Sequence, residues 1–109
     1  MAIGAALNDV RRDGVLVLGS GNVVHNLSMI DWSAHDSGYD WADRFDAQVS
    51  AVMTADPASL PSVMSGPDWE RSAPTPEHFI PLLPLAGLAS ASGSSVDVVV
   101  QGPRWARCR

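Results

Sequence analysis

Apolar residues recur at helical spacing in three segments of the chain. Ile3, Leu7 and Val10 share one face and predict a helix over residues 3–12. A longer helix is predicted to begin at Trp41, with Asp40 as a possible cap, and to end near Asp56; its apolar positions are Trp41, Phe45, Val49, Val52 and Met53. A third, irregular helix follows the Thr75-Pro76-Glu77-His78 start or begins only at Pro81; its apolar face comprises Leu82, Leu83, Leu85 and Leu88.

Two short, mainly apolar runs differ from these helical patterns. Val15–Leu18 is continuous and contains two β-branched residues, which is typical of a strand buried on both faces of a parallel sheet. Val96–Val100, which includes Asp97, predicts a second strand. Residues 57–74 contain four prolines and predict turns with little regular structure. Helices alternating with strands predict an α/β fold, in which part of a sheet has flanking helices. Two strands do not make a stable parallel sheet, so the pattern also indicates a portion of something larger.

Composition and charge narrow the functional classes. The 109 residues carry seven arginines, no lysine and twelve acidic residues, a net charge of −5, which argues against a nucleic-acid partner. The single cysteine, Cys108, rules out an internal disulfide and favours a reducing compartment. The short apolar run at the amino terminus is not a signal peptide, and the prolines within residues 79–96 argue against membrane insertion. We therefore expect a soluble cytoplasmic chain.

A glycine turn, Gly19–Asn22, follows the first predicted strand, at the end where α/β proteins place ligands. A dinucleotide fingerprint requires a third Gly or Ala where Val24 stands, and no acidic residue closes a second strand about twenty residues later. A small nucleotide-binding module is therefore a weak alternative. On spacing alone, a turn that only reverses the chain is favoured.

Three histidines are the other candidates for chemistry. His25 lies just past the glycine turn, and His78 lies in the predicted first turn of a helix, where neutral imidazole, the metal-binding form, is favoured. His35 lies in a polar loop and is expected to be a solvated residue outside any metal site. No local pair has metal-ligand spacing, so residue spacing alone leaves surface histidines as the ordinary interpretation.

Two long sequence motifs indicate a function more specifically than the single residues do. Residues 14–27 (GVLVLGSGNVVHNL) and 74–83 (PTPEHFIPLL), with residues 39–45 (YDWADRF) between them, resemble the class III extradiol ring-cleavage dioxygenases. The closer similarity is to the 4,5-DOPA extradiol dioxygenase branch, and it covers about residues 3–100. The resemblance implies that residues 1–100 are the carboxyl-terminal part of a catalytic domain, and that residues 101–109 form an atypical basic tail.

The resemblance also implies a chemistry. It implies one divalent metal, Fe²⁺ or Zn²⁺, a catechol substrate and O₂, with His25 and His78 at the metal centre. His25 is also the catalytic candidate, since it can instead act as an acid or base that takes a catechol proton. Further histidine ligands would come from an amino-terminal half that this chain lacks, and a non-catalytic truncated remnant is the alternative. Both imidazoles are expected to face one cleft at the carboxyl end of the Val15–Leu18 strand.

Overall fold

The structure, a computed structural model, describes residues 1–30 and 38–100. Five α-helices occur in this part of the chain: α1 (Ala2–Ala6), α2 (Asn8–Arg12), α3 (Asp40–Ala55), α4 (Trp69–Ser72) and α5 (Leu82–Ser92). Three 3₁₀-helices connect them, at Leu27–Met29, Pro57–Ser65 and Pro76–His78. None of the described helices is both long enough and apolar enough to cross a bilayer.

The core forms between α3, α5 and the 3₁₀-helix Pro57–Ser65. Helix α3 follows the predicted apolar spacing and buries Phe45, Val49 and Met53 on one face. Leu60 and Val63 of the 3₁₀-helix are fully buried against that face. The predicted helix from Trp41 to Asp56 is thus confirmed, whereas residues 57–74 contain more regular structure than their prolines indicated.

Helix α5 begins after Pro81, as one of the two sequence predictions had it. Pro84 lies in its first turn, where the missing N–H has no intrahelical acceptor in any case, so the helix tolerates it. The helix ends at Gly93, which adopts the left-handed conformation (φ 62°) that glycine accepts without a side-chain clash. In the first turn of α5, α1 packs so closely that a side chain at Gly4 would overlap the carbonyl of Pro84.

The predicted α/β fold is wrong for the part of the chain that the structure describes. Residues 1–30 and 38–100 are mainly helical and contain no β-strand, and neither predicted strand, Val15–Leu18 or Val96–Val100, forms. A strand requires a hydrogen-bonded partner, and no backbone hydrogen bond joins these two apolar runs. The apolar pattern thus predicted neither the backbone conformation nor the burial of these two segments.

Instead, Val15–Leu18 lies on the surface as a segment without strand pairing. Leu16 and Leu18 are 79% and 83% exposed, whereas Val17 between them is half-buried. In the second run, Val99 is 91% exposed. Large apolar side chains at this exposure are unusual when they occur together, and they mark surface that can be covered by another polypeptide.

Candidate metal centre

Two chain segments bring His25 and His78 together. His78 ends the 3₁₀-helix Pro76–His78, and His25 lies in the irregular segment after the glycine turn. The backbone N–H of His25 donates to the carbonyl of Ser72 (2.7 Å), and the backbone N–H of Asn22 donates to the carbonyl of His78 (2.8 Å). These two bonds fix the histidine-bearing segments to one another.

The turn at Gly19–Asn22 requires glycine because its backbone packs closely against His78 and helix α5. A side chain at Gly21 would overlap the carbonyl oxygen of His78, and one at Gly19 would lie 2.8 Å from Leu85 Cδ1. Glycine at both positions lets the turn approach His78 and helix α5 closely. A small cavity of about 90 Å³ remains between the turn, His78 and α5. Close backbone packing therefore accounts for the glycine spacing without a bound nucleotide.

The imidazole rings of His25 and His78 stack face to face. Their centroids are 3.5 Å apart and their planes differ by 15°. Glu77 joins them: one ligand atom from each of the three residues lies within 4.8 Å of the others. The two imidazoles therefore lie side by side, as expected, although the Val15–Leu18 strand at whose end they were expected does not form.

The pKa of the Glu77 carboxyl is lowered by its neighbours. Thr75 Oγ1 donates a 2.6 Å hydrogen bond to Glu77 Oε1. This bond lowers the pKa of Glu77 below its ordinary value, and a backbone N–H and the charge of either protonated imidazole act in the same direction. The carboxylate is exposed, and both imidazoles are half-buried. The cluster is thus open to solvent and to ions.

The donor set fits a divalent transition metal. Two imidazole nitrogens and one carboxylate oxygen are ligands that Fe²⁺ and Zn²⁺ accept, and such a set leaves coordination positions open. The stacked rings, however, do not yet converge on one point. An imidazole lone pair lies in its ring plane. In two nearly parallel rings, with centroids 3.5 Å apart and planes 15° apart, the lone pairs do not meet within the roughly 2.1 Å of a metal–nitrogen bond. One ring must turn for both to bind the same ion.

Sequence reasoning found the two histidines but not the carboxylate. Glu77 was considered only as a neighbour of His78 at a helix start, whereas its place in the first turn directs it to the same side as the imidazoles. The sequence signal that could have identified Glu77 is its position next to His78, in a motif that was already paired with the His25 motif. His35, predicted to stay outside the site, and the tail at 101–109 lie outside the described residues.

Comparison with known proteins identifies relatives for most of the chain. It is 38% identical over 89 residues to "4,5-DOPA dioxygenase extradiol" of Escherichia coli K12, an alignment covering 78% of this chain and 33% of that protein. It is 30% identical over 97 residues to the protein of the same name from Beta vulgaris, covering 85% and 35%. No known family model matches the sequence.

One solved structure has a similar backbone. The crystal structure of uncharacterized protein JW3007 from Escherichia coli K12 superposes with a TM-score of 0.73 and 34% identity, over 82% of this chain and 38% of that one. The chain thus spans about a third of the length of the proteins it matches. Over the aligned residues, the predicted resemblance is confirmed, and the chain is a relative of the 4,5-DOPA dioxygenase extradiol proteins.

Proposed function

We propose that this chain contributes His25 and His78 to the divalent metal centre of an extradiol dioxygenase that opens a catechol ring with O₂. Residues 1–100 would be the carboxyl-terminal part of the catalytic domain, and Fe²⁺ or Zn²⁺ the ion. The observation that carries the proposal is the cluster of two imidazoles and one carboxylate within 4.8 Å. The names of two relatives over 78–85% of the chain support the same chemistry. A cytoplasmic location and a small-molecule substrate belong to this proposal.

The two histidines have different surroundings, which suggests different roles. The backbone of His78 is held by its own 3₁₀-helix and by the Asn22 N–H, which donates to its carbonyl. His25 lies in an irregular segment held at its backbone by Ser72. We assign His78 as a ligand, with Glu77 as an added donor. His25 is a second ligand, or the base that takes a proton from a catechol hydroxyl.

When bound, the ion would supply a positive charge that favours the ionised hydroxyls of a catechol. The chain's own residues would orient the site. The hydrogen bond from Thr75 lowers the pKa of Glu77, which favours the carboxylate as a metal ligand, and the imidazole of His25 can act as an acid or a base. The close approach of the glycine turn fixes the distance between the two imidazole-bearing segments.

Metal content of purified variants tests this assignment. Each variant is dialysed against Fe²⁺ under anaerobic conditions, or against Zn²⁺, and the bound metal is measured by atomic absorption. His78→Ala is expected to lose most of the bound metal, and Glu77→Gln part of it. His35→Ala, a change of the same residue type elsewhere, serves as the matched control and should retain it. Metal content that is unchanged in His78→Ala would contradict the proposal.

His25→Ala separates the two roles left open for that residue. Loss of metal would make His25 a ligand. If the variant retains its metal, but an assembly that is active with the parent chain no longer opens the ring with the variant, His25 is the acid or base. A non-catalytic remnant is the second candidate, favoured by the solvent exposure of Leu16, Leu18 and Glu77. It predicts that no assembly containing this chain opens a catechol ring, whatever its metal content.

A further inference from the structure

Asn26, the residue after His25, has a buried polar side chain that the proposed metal centre does not include. It is 7% exposed, although asparagine is mostly found at protein surfaces. Its backbone carbonyl accepts a hydrogen bond from the N–H of Met29 (3.2 Å) at the start of the 3₁₀-helix Leu27–Met29. Burying an amide is unfavourable unless the amide has hydrogen-bond partners, so the partners of Asn26 indicate what it does here.

Both ends of the Asn26 side chain make hydrogen bonds. Nδ2 donates to the backbone carbonyl of Arg71 (2.7 Å), and Oδ1 accepts from the hydroxyl of Ser28 (2.6 Å). A carbonyl oxygen can only accept, so the end of the amide that faces Arg71 must be the NH₂ group. The side chain is therefore held at both ends, and the backbone next to His25 is held with it.

The bond to Arg71 lies next to a second bond between the same two segments. The backbone N–H of His25 donates to the carbonyl of Ser72 (2.7 Å). Arg71 and Ser72 are the last two residues of α4, where carbonyls have no partner within the helix. Residues 25 and 26 thus bind the end of α4 at two adjacent points. A single hydrogen bond would let the segment turn about it, whereas two bonds fix its direction.

Helix α4 is in turn packed against the segment that carries His78. The ring of Trp69, at the start of α4, contacts Phe79 edge to face with centroids 5.1 Å apart. Phe79 is 1% exposed and follows His78 directly in the chain. The position of the His25 ring relative to the His78 ring therefore depends on a continuous set of contacts, from Asn26 through α4 to Phe79.

We propose that Asn26 is a positioning residue, which holds the imidazole of His25 against that of His78. Its bond to Arg71 fixes the direction of the backbone at His25, so that the two rings stack with centroids 3.5 Å apart. As a statement about the metal centre, the inference rests on the proposed function. As a statement about the histidine pair, it does not.

Histidine NMR of the metal-free 109-residue chain, with a chelator present, tests the position of His25. The upfield shift of the His78 ring protons that His25→Ala removes is the measure of stacking. Asn26→Ala, which lacks both side-chain hydrogen bonds, should remove more than half of this shift. Asn26→Asp keeps the size of the side chain and its acceptor for Ser28 but has an oxygen in place of Nδ2. It should have the same effect, and it replaces Asn26→Ala if that variant does not fold.

Two control variants separate positioning from a general loss of stability. Ser28→Ala removes the hydrogen bond to Oδ1 and leaves the one from Nδ2. Leu88→Ala removes buried apolar volume from α5 without removing a side-chain hydrogen bond. Both should keep most of the stacking shift. The proposal is overturned if an Asn26 variant with the parental circular dichroism spectrum keeps the shift, or if Leu88→Ala loses it to the same extent.

Zinc affinity, measured by calorimetry, distinguishes failure of this inference from failure of the proposed function. If His25 is a ligand, Asn26→Ala should bind Zn²⁺ about 10- to 100-fold more weakly, the usual effect of losing a residue that orients a metal ligand. Leu88→Ala should match the parent chain. Stacking lost without loss of affinity would contradict His25 as a ligand in the proposed function, whereas it would still support the positioning role of Asn26.

Discussion

His25 and His78 stack with ring centroids 3.5 Å apart and planes 15° apart, on two segments that are distant in sequence. This arrangement is favourable for a neutral pair of rings but not for shared coordination, because the in-plane lone pairs do not meet at one ion. We therefore expect metal binding to separate the rings. In the metal-free chain, each ring shields the protons of the other; on addition of Zn²⁺, the ring-proton NMR resonances of both histidines should move downfield.

The His25→Ala variant provides a comparison for the same Zn²⁺ titration. In His25→Ala the remaining ring of His78 has no stacking partner, so its resonances should already lie downfield before metal is added. If Zn²⁺ binds to the parent chain while the shielding of both rings persists, the ion is held elsewhere. That result would remove His25 and His78 from the metal centre.

A second prediction concerns the close approach of Gly21 to His78. Gly21→Ala places a methyl group against the His78 carbonyl oxygen, where there is no room for it. The turn must move away, which breaks the Asn22–His78 hydrogen bond and shifts the segment that carries His25. We expect markedly weaker Zn²⁺ binding by calorimetry.

Gly14→Ala is the control for this substitution. Gly14 has a positive φ of 86°, and no atom lies within 4 Å of the position that a side chain would take, so the change strains the backbone without a steric clash. It should lower stability without weakening Zn²⁺ binding to the folded chain. Equal loss of metal affinity in both variants would show that general destabilisation, and not the position of His78, decides binding.

The third prediction concerns Ser72, whose side chain is fully buried. Its hydroxyl has no hydrogen-bond partner within the described structure, although its backbone carbonyl accepts from His25. A buried polar group without a partner is unfavourable, so Ser72→Ala should raise the free energy of unfolding by about 1 kcal/mol. Leu60→Ala, at an equally buried core position, should lower it by about 2–5 kcal/mol. Urea unfolding followed by tryptophan fluorescence measures both; a large loss of stability in Ser72→Ala would mean that the hydroxyl has a partner after all.

How far the sequence predicted the structure depends on whether a feature is local. Helix α3 was predicted from the spacing of Trp41 to Met53, because a helix satisfies its own backbone hydrogen bonds and its apolar face follows from residue spacing alone. The start of α5 after Pro81 is equally local. The prediction of a strand at Val15–Leu18 was wrong because strand formation requires a hydrogen-bonded partner, and the apolar run itself does not specify one.

The candidate site shows the same division. Residue spacing did not bring His25 and His78 together; the resemblance to a family did so, and the geometry agrees. Glu77 was missed because a carboxylate beside a histidine is common, and only the three-dimensional arrangement shows that it shares their side.

The fourth prediction concerns the exposed apolar side chains of the unpaired segment at Val15–Leu18. Leu16 and Leu18 alternate with the half-buried Val17 and form an apolar surface that should cause self-association. The double change Leu16→Ser, Leu18→Ser should reduce association measured by analytical ultracentrifugation, with a change in the free energy of unfolding of no more than about 0.5 kcal/mol. Ile3→Ser, an equally simple change at a 73% exposed position on α1, should have a smaller effect. Equal effects would mean that general surface hydrophobicity, and not this segment, drives association.

The last prediction is that the 109-residue chain by itself does not open a catechol ring at an enzymatic rate. Its proposed metal ligands are half-buried or exposed, so water reaches the ion and competes with a catechol and with O₂. The exposed Leu16 and Leu18 lie where another polypeptide can pack and close the surface, and the chain spans about a third of its named relatives. The test is anaerobic loading with Fe²⁺, followed by DOPA and air, with His78→Ala as the control. We expect weak metal binding and the same slow, uncatalysed oxidation in both samples. A ring-opened product that forms rapidly with the parent chain and not with His78→Ala would show that these residues alone complete the active site.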